Sequence, residues 1–254
     1  MGQDDSTGYP LIEHWNGSRW QEESLPAIPG GGGLRSLFSL GPRDIWAVGG
    51  TADAILVEHW NGTSWSTVPA PDPGNNANGL TSISGTSSDD LWAVGYQFSQ
   101  EGTSDVGSSL IEHWDGSAWS VSSSPPADVQ LLSVVALTSR DAWAAGYSGL
   151  QGNQEVLEHW DGIQWTQIAG PSGNNYMINA MQRPGENLDW AAGEYALGGV
   201  ANAQMFRWRS SSAMFVPVQT ALPSSGNSVL SSVARVSATD AWAVGDVAPG
   251  PSSL

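Results

Sequence analysis

A tryptophan-containing phrase recurs five times at nearly constant spacing, and this periodicity limits what the chain can fold into. The copies read RDIWAVGG, DDLWAVGY, RDAWAAGY, LDWAAGEY and TDAWAVGD, and their tryptophans are 46, 51, 47 and 52 residues apart. A fixed period of this length is typical of repeat architectures rather than of one irregular core. The repeated tryptophans are Trp46, Trp92, Trp143, Trp190 and Trp242.

A second phrase contains all four histidines of the chain: LIEHWNGSRW, LVEHWNGTSW, LIEHWDGSAW and VLEHWDGIQW. Asn-Gly or Asp-Gly between apolar segments predicts a tight hairpin turn. With a two-residue turn, Trp60 would pair with Thr63, and alternation would place Glu58, Trp60 and Trp65 on one face and His59 on the other. We interpret this hairpin as a packing unit in which the carboxylate of Glu58 accepts an indole N–H. A sugar-binding aromatic platform in each repeat is the alternative.

One repeat reads as four short strands, here called a to d. Strand a is of the type LTSI, strand b of the type LWAVG, strand c of the type LIEHW, and strand d carries the second tryptophan. Four antiparallel strands within about 50 residues form a propeller blade.

The repeat count predicts a five-bladed β-propeller, an all-β fold occupying residues 1–254 as one domain. Strands a and b occur five times, whereas strands c and d occur four times and in a degenerate form at about 204–218. Because the chain opens on c–d and closes on a–b, we expect the last blade to combine strands from both termini, which removes two exposed sheet edges. A fragment of a longer repeat array is the alternative. The predicted blades are 34–70, 80–123, 131–169, 177–218, and 229–246 together with 9–24.

The stretch LRSLFSLGPRDIWAVGG, followed by VEHWNGTSWSTVPAP, resembles a kelch repeat and is similar to the BNR/Asp-box style of bacterial propeller repeat. Only Gly49-Gly50 keeps the glycine pair of kelch repeats. The resemblance covers nearly the whole chain. It implies a propeller, and propellers of this kind serve as enzymes, lectins or protein-binding platforms.

Composition excludes several classes of function. The formal net charge is −17, all eight basic residues are arginines, and cysteine is absent. No basic stripe for nucleic acid or anionic membranes can be assembled, and thiolate and lysine Schiff-base chemistry are excluded. No apolar run is long enough for membrane insertion, and the start MGQDDSTGYP lacks the features of a signal peptide. The acidic, lysine-free composition favours an extracellular or cell-surface location.

Catalytic and metal-binding constellations are not expected. Histidine and glutamate alternate to opposite faces of strand c, so they do not converge on a metal, and no cofactor is implied. Glycoside hydrolysis needs two converging carboxylates, and strands a, which line the axis, carry none. Aspartates that precede strand b are interpreted as turn residues, and arginines in strands a as a candidate anion site. These residues are Asp44, Asp90, Asp141 and Asp240, and Arg35, Arg183 and Arg235.

A ligand is expected on the face formed by the b–c and d–a loops. These loops differ from repeat to repeat, and variable loops on a rigid scaffold are where binding usually occurs. The sequence predicts a non-enzymatic binding or scaffold propeller that recognises glycan or protein through this face. The alternatives are a secreted polysaccharide-active hydrolase and a self-assembling structural repeat protein. The candidate ligand-binding residues are Tyr96, Tyr147, Tyr195, Asn75, Asn174 and Tyr176.

Overall fold

The computed structural model describes residues 2–3, 8–52, 54–73, 78–101, 104–123, 129–148, 154–168, 175–182, 189–197, 200–209, 214–220, 227–237 and 239–248. The chain divides into two compact units, residues 1–126 and 127–254. Every regular element among the described residues is a β-strand. None of them forms a helix that is long and apolar enough to cross a membrane.

The first unit contains two small hairpins and two four-stranded antiparallel sheets. The hairpins pair β1 (Gly2–Gln3) with β2 (Pro10–Leu11), and β3 (Glu13–Trp15) with β4 (Trp20–Glu22). The second pair is called the N-terminal hairpin below. The first sheet is β5 (Gly33–Gly41), β6 (Asp44–Gly50), β7 (Ile55–Trp60) and β8 (Trp65–Thr67). The second sheet is β9 (Asn78–Ser87), β10 (Asp90–Glu101), β11 (Ser104–Trp114) and β12 (Trp119–Val121).

The second unit contains two further four-stranded antiparallel sheets and one hairpin. The third sheet is β13 (Val129–Thr138), β14 (Asp141–Ser148), β15 (Gln154–Trp160) and β16 (Trp165–Ile168). The fourth sheet is β17 (Asn175–Gln182), β18 (Trp190–Leu197), β19 (Val200–Arg209) and β20 (Met214–Val218). Strands β21 (Ser228–Ser237) and β22 (Asp240–Val247) pair as a two-stranded sheet, the C-terminal hairpin.

The predicted all-β fold and the a-b-c-d order within each repeat are confirmed, because each four-stranded sheet pairs its strands in sequence order. The segments assigned to a fifth blade form two separate two-stranded sheets, the N-terminal and C-terminal hairpins. A count of five blades therefore stays a prediction.

The glycine that ends each WAVG-type phrase has a steric reason. Every strand a has a register irregularity close to this glycine, as between Leu34 and Ser36 in β5. At this point the two backbones approach so closely that a methyl group on the glycine would overlap a carbonyl oxygen of strand a. A larger residue would push the two strands apart. The five glycines are Gly49, Gly95, Gly146, Gly193 and Gly245.

The turn between strands c and d differs from the prediction. Trp60 pairs with Trp65 and Glu58 with Thr67, so four residues rather than two form the loop. The Oδ1 atom of Asn61 accepts hydrogen bonds from two backbone N–H groups of that loop, at 2.9 and 3.1 Å. This Asx turn stabilises the wider loop. Glu58, Trp60 and Trp65 still share one face of the hairpin, because Trp60 and Trp65 lie directly opposite each other.

Hydrophobic cores lie between neighbouring sheets of each unit. In the first unit, Trp46 and Val57 of the first sheet pack with Leu80 and Leu110 of the second. In the second unit, residues of the third sheet pack with Ile178 and other residues of the fourth. A serine hydroxyl connects neighbouring strands a: Ser36 accepts a hydrogen bond from the Ile83 N–H at 3.2 Å, and Ser133 from the Met181 N–H at 3.0 Å.

Candidate functional site

An aspartate, a tryptophan and a histidine form the same cluster in three of the sheets. In the first sheet, Oδ1 of Asp44 accepts hydrogen bonds from Trp46 Nε1 at 2.8 Å and from His59 Nε2 at 2.9 Å. The indole and imidazole rings stack with centroids 4.1 Å apart. All three side chains are on one face, because Asp44 and Trp46 are two residues apart and Trp46 pairs with His59.

The third sheet repeats this geometry in full, with Trp143 Nε1 donating to Asp141 Oδ1 at 2.8 Å, and the second sheet repeats the histidine–aspartate pair and the contact between the indole and imidazole rings. His113 Nε2 lies 2.8 Å from Asp90 Oδ1, and His159 Nε2 lies 3.0 Å from Asp141 Oδ1. The hydrogen bond from His113 holds the pKa of Asp90 below its usual range. The prediction that these aspartates serve turn chemistry was therefore incomplete, since each binds the histidine of the adjacent strand. Each cluster is a packing and hydrogen-bonding unit, because the tryptophans are almost fully buried.

The fourth sheet keeps the cluster with different residues. Arg207 occupies the register position of the histidine, opposite Trp190, and its guanidinium lies 4.7 Å from the indole centroid. Asp189, one residue before Trp190 rather than two, forms an ion pair with Arg207 Nε at 2.9 Å. Its second oxygen lies 2.9 Å from Nε of Arg235 in β21. Arg235, a predicted member of an anion site, is therefore already paired, and Arg183 lies outside the described residues.

In the first three sheets, the glutamate of the Glu-His-Trp phrase is buried inside the packing between sheets, whereas Glu13 of the N-terminal hairpin is exposed. Glu58, Glu112 and Glu158 are at most 1% exposed. Glu58 accepts a hydrogen bond from the Thr67 hydroxyl at 2.6 Å, and the Trp60 indole donates to the Pro42 carbonyl instead, so the predicted carboxylate–indole bond is wrong.

Burial changes the protonation of Glu112. Both of its carboxylate oxygens are buried and have no hydrogen-bond partner among the described residues. Its pKa is raised to about 8, first by burial and then by the negative charge of Asp72. Burial likewise raises the pKa of Glu58, although its bond with Thr67 opposes the shift. Glu58 and Glu112 are thus held in environments that favour the neutral acid.

These observations leave little surface for a repeated sugar site. The strand d tryptophans Trp65, Trp119 and Trp165 are at most 7% exposed. The side chains that the structure describes contain no group of three or more histidine, aspartate or glutamate residues placed to hold a metal ion. A ligand site has to be sought elsewhere, on the loops.

A pocket of about 620 Å³ lies at the loop end of the first sheet, where the d–a loop meets the b–c loop. It is called the loop-face pocket below. Its lining is rich in glycine, with Gly30–Gly33 on one side and Gly50 on the other, and its side chains include those of Tyr9, Arg35 and Thr51. Backbone groups therefore form much of the wall.

The glycines are needed for this shape. Gly31 has a φ of 75°, and a methyl group there would overlap the carbonyl oxygen of Gly8. The Gly32 N–H donates to that same carbonyl at 2.9 Å. The other wall is fixed by Thr51, whose hydroxyl and N–H both contact Ala54 O, at 3.1 and 2.7 Å. Two short loops are thus held open around the pocket.

Two side chains give the loop-face pocket its chemistry. Tyr9 is 51% exposed and offers an aromatic face. Arg35 is also exposed, and its guanidinium carbon lies 6.0 Å from the ring centroid of Tyr96, at the end of strand b in the second sheet. Sequence reasoning placed Arg35 on the axis and overlooked Tyr9. The run PGGGG was the available signal, because consecutive glycines allow close approach to backbone.

The predicted ligand-binding tyrosines are not equivalent. Tyr96 is half-buried and close to the loop-face pocket through Arg35, whereas the Tyr147 hydroxyl is bound to Gln130 Oε1 at 2.8 Å. Tyr176, expected in a loop, lies in β17 at 7% exposure and packs edge-on against Tyr195, which is half-buried. Burial excludes Tyr176 from a surface site. Asn75 and Asn174 lie outside the described residues.

No protein-family model and no curated protein matches the chain. Among solved structures it is similar to YCF48 bound to D1 peptide, with 14% identity over 93% of this chain and 69% of that chain and a TM-score of 0.57. It is also similar to a mutant of the Aleuria aurantia lectin AAL in complex with Fucα1-6GlcNAc, with 14% identity, coverage of 99% and 92%, and a TM-score of 0.51. At this identity the likeness concerns the fold alone, and that fold is the β-propeller.

Proposed function

We propose that the chain is a non-enzymatic, extracellular binding propeller that recognises a glycan at the loop-face pocket. The observation that carries the proposal is the combination of an exposed tyrosine ring, an exposed guanidinium and glycine backbone around about 620 Å³ of space. Sugars are bound by an aromatic face against the ring and by polar groups that meet the hydroxyls. Tyr9 supplies the aromatic face, and Arg35, Thr51 and the glycine backbone supply the polar groups.

The ligands bound in two of the similar solved structures support a binding role. One of the similar structures holds a peptide and another holds a fucosylated disaccharide. A peptide ligand is the second candidate, because backbone groups of Gly30–Gly33 could pair with an extended chain as well as with hydroxyls. The glycan is favoured by the exposed ring of Tyr9.

The lining of the loop-face pocket supports binding rather than hydrolysis. Among the described residues, those that line it include no aspartate and no glutamate. Hydrolysis of a glycosidic bond by the usual mechanism needs two carboxyl groups about 5 to 10 Å apart. The hydrolase alternative would therefore need carboxylates other than the described lining residues.

We also propose that the propeller has five blades, with the fifth divided between the N-terminal and C-terminal hairpins. The register of β21 with β22 repeats the a–b register of the first three sheets, including both irregularities. The Trp15–Trp20 pair of the N-terminal hairpin, with centroids 6.0 Å apart, repeats the Trp60–Trp65 pair at 5.9 Å. The kelch-like or BNR-like character of the repeats belongs to the same proposal.

A glycan array probed with the wild-type chain tests the proposed function, followed by titration calorimetry with any sugar that binds. Tyr9→Ala and Arg35→Ala are expected to weaken binding at least tenfold. Arg43→Ala is the matched control, because Arg43 is an exposed arginine in the a–b turn of the same sheet. Equal loss in all three variants, or no binding to any glycan, would contradict the proposal. Release of reducing sugar from a bound polysaccharide would favour the hydrolase.

A further inference from the structure

Both Asn-x-Ser/Thr triplets of the chain lie in turns between strands c and d. One is Asn61-Gly62-Thr63 in the first sheet, and the other is Asn16-Gly17-Ser18 in the N-terminal hairpin. This triplet, with any residue except proline in the middle, is the acceptor sequence for N-linked glycosylation. The sequence alone does not make an asparagine an acceptor, because its side chain must also be accessible to an enzyme and correctly oriented.

The c–d turn exposes the first residue of the triplet. Asn61 and Asn16 are both exposed, and so are the hydroxyl-bearing residues two positions later, Thr63 and Ser18. The corresponding turns of the second and third sheets begin with aspartates that are exposed in the same way, Asp115 and Asp161. The position is therefore open to solvent in each of these four turns.

The turn also fixes the orientation of the amide. Oδ1 of Asn61 accepts hydrogen bonds from the backbone N–H groups two and three residues further on, at 2.9 and 3.1 Å. Oδ1 of Asn16 accepts the same two bonds at 3.0 and 3.1 Å, and the Ser18 hydroxyl donates a third at 2.8 Å. Donors at Oδ1 stabilise the negative charge that develops on this oxygen as Nδ2 gives up a proton. The turn thus favours the reaction of Nδ2 as a nucleophile.

The amide nitrogen is not needed to hold the turn. Asp115 and Asp161, which have no such nitrogen, accept the two equivalent backbone bonds, each pair at 2.8 and 2.9 Å. At Asn61, the hydrogen bonds of the turn go to Oδ1 alone. At Asn16, Nδ2 donates to the exposed side chain of Gln21, a contact that a sugar would replace. A substituent on Nδ2 therefore leaves the turn intact.

We propose that Asn61 and Asn16 are N-glycosylation sites, given the extracellular location that the proposed function includes. Nδ2 attacks the anomeric carbon of a sugar that is carried on a lipid pyrophosphate. The bond between that carbon and the pyrophosphate oxygen breaks, Nδ2 loses one proton, and the lipid pyrophosphate leaves. Each of the two turns then carries one sugar chain. Neither asparagine lines the loop-face pocket, so the modification is separate from ligand binding there.

Secretion of the full chain from a eukaryotic cell line, behind an added signal peptide, tests the proposal by intact mass. The wild type is expected to carry two sugar chains. A peptide-N-glycosidase should remove both and convert each modified asparagine to aspartate. Asn61→Gln and Asn16→Gln are each expected to lose one sugar chain. A secreted wild-type chain without sugar on either asparagine would overturn the proposal.

The aspartates of the other two turns provide matched variants. Asp115→Asn creates an Asn-Gly-Ser triplet in a turn with the same exposure and the same hydrogen bonds, so we expect it to gain one sugar chain. Asp161→Asn is the control, because Ile163 stands where the hydroxyl-bearing residue is required. No gain for Asp115→Asn would refute the role of the turn, and a gain for Asp161→Asn would refute the role of the triplet.

The glycan array distinguishes failure of this proposal from failure of ligand binding at the loop-face pocket. The double variant with Asn61→Gln and Asn16→Gln is expected to bind the same sugars as the wild type. A secreted chain that lacks attached sugar but still binds on the array would overturn the glycosylation sites alone. A chain that carries both sugar chains but binds nothing on the array would overturn only the proposed ligand.

Discussion

The Nε atom of Arg207 lies 2.9 Å from Oδ1 of Asp189, at the register position where three other sheets place a histidine. The substitution keeps the pattern of a cation-capable group stacked on the strand b tryptophan and bound to an aspartate. It also adds a link to β21, because Asp189 holds Arg235 with its second oxygen. The fourth sheet thus keeps the aspartate–tryptophan cluster, with arginine in place of histidine.

Replacing Asp189 by asparagine is expected to lower the free energy of unfolding by about 2 to 4 kcal/mol, because it leaves two arginines beside a 9% exposed position without a counter-charge. Urea unfolding followed by tryptophan fluorescence measures this. Asp161→Asn is the control, since that exposed aspartate accepts turn hydrogen bonds that an asparagine can also accept, as Asn61 does in the first sheet. It should change stability by less than about 0.5 kcal/mol, and an equal effect of both variants would refute the role of the ion pairs.

Glu112 is expected to make the protein less stable as the pH rises. Its pKa is about 8 in the folded chain against an ordinary value of 4.5, so the folded state holds a proton that the unfolded state releases. Stability contributed by the neutral acid is complete below about pH 4.5 and is lost as the pH rises towards 8. Since one pKa unit corresponds to about 1.4 kcal/mol, the change is on the order of 4 kcal/mol.

The Glu112→Gln variant tests this by removing the titrating group. We expect its stability to match that of the wild type near pH 4.5 and to exceed it near pH 8 in urea unfolding. Glu22→Gln, an exposed glutamate of β4, is the control. An equal gain at both pH values would show that shape or hydrogen bonding, rather than charge, is responsible.

The strand b tryptophan of the first sheet is expected to contribute strongly to stability. Trp46→Ala removes a 3% exposed side chain that contacts His59, Trp114 and Trp119, and is expected to cost about 3 to 5 kcal/mol. Ile163→Ala removes an 84% exposed side chain in a c–d turn and should cost less than about 1 kcal/mol. Thermal unfolding compares the two variants. An equal loss for both would show that the burial of Trp46 is not what stabilises the sheet packing.

Alanine variants of Gly30 and Gly31 distinguish the effect of backbone conformation on the loop-face pocket from the effect of steric overlap. Both have positive φ, but only at Gly31 would a methyl group overlap a neighbouring carbonyl. Gly30→Ala should cost about 1 kcal/mol and leave the pocket intact. Gly31→Ala should cost more and also abolish binding of any sugar that the array identifies. Calorimetric titration of both variants checks this, and equal binding by the two would show that the Gly31–Gly8 approach does not shape the pocket.

The strands could be predicted from the sequence because tryptophan, glycine and apolar positions recur with one period. The c–d turn could not, since Asn-Gly is compatible with a two-residue turn. The longer loop is selected by the cross-strand Trp60–Trp65 pair and by the side chain of Asn61. The correct count of loop residues required knowing which tryptophans face each other.

The two-residue spacing between each aspartate and the strand b tryptophan already indicated a contact between them, but the aspartates were interpreted as turn residues. Asp44 and Trp46 lie two residues apart on a strand, so they share a face. Their relation to His59 depends on the register of strands b and c, which the variable b–c loop conceals. The sequence predicted only that a ligand would bind on the face formed by the b–c and d–a loops, and it did not predict the loop-face pocket itself. Its shape depends on Gly31 approaching Gly8, a contact between segments that no periodicity connects.

The Asx turn at Asn61 determines how the structure would respond to the spontaneous conversion of this asparagine to aspartate. Asparagine followed by glycine is prone to spontaneous loss of its side-chain nitrogen, and the chain has this pair at Asn16-Gly17, Asn61-Gly62 and Asn78-Gly79. In the turn, however, Asn61 uses only Oδ1, to accept from the Thr63 and Ser64 N–H groups. Asp115 makes the same two bonds with a carboxylate in the second sheet, at 2.8 and 2.9 Å. Conversion of Asn61 to aspartate would therefore add a negative charge and preserve the turn.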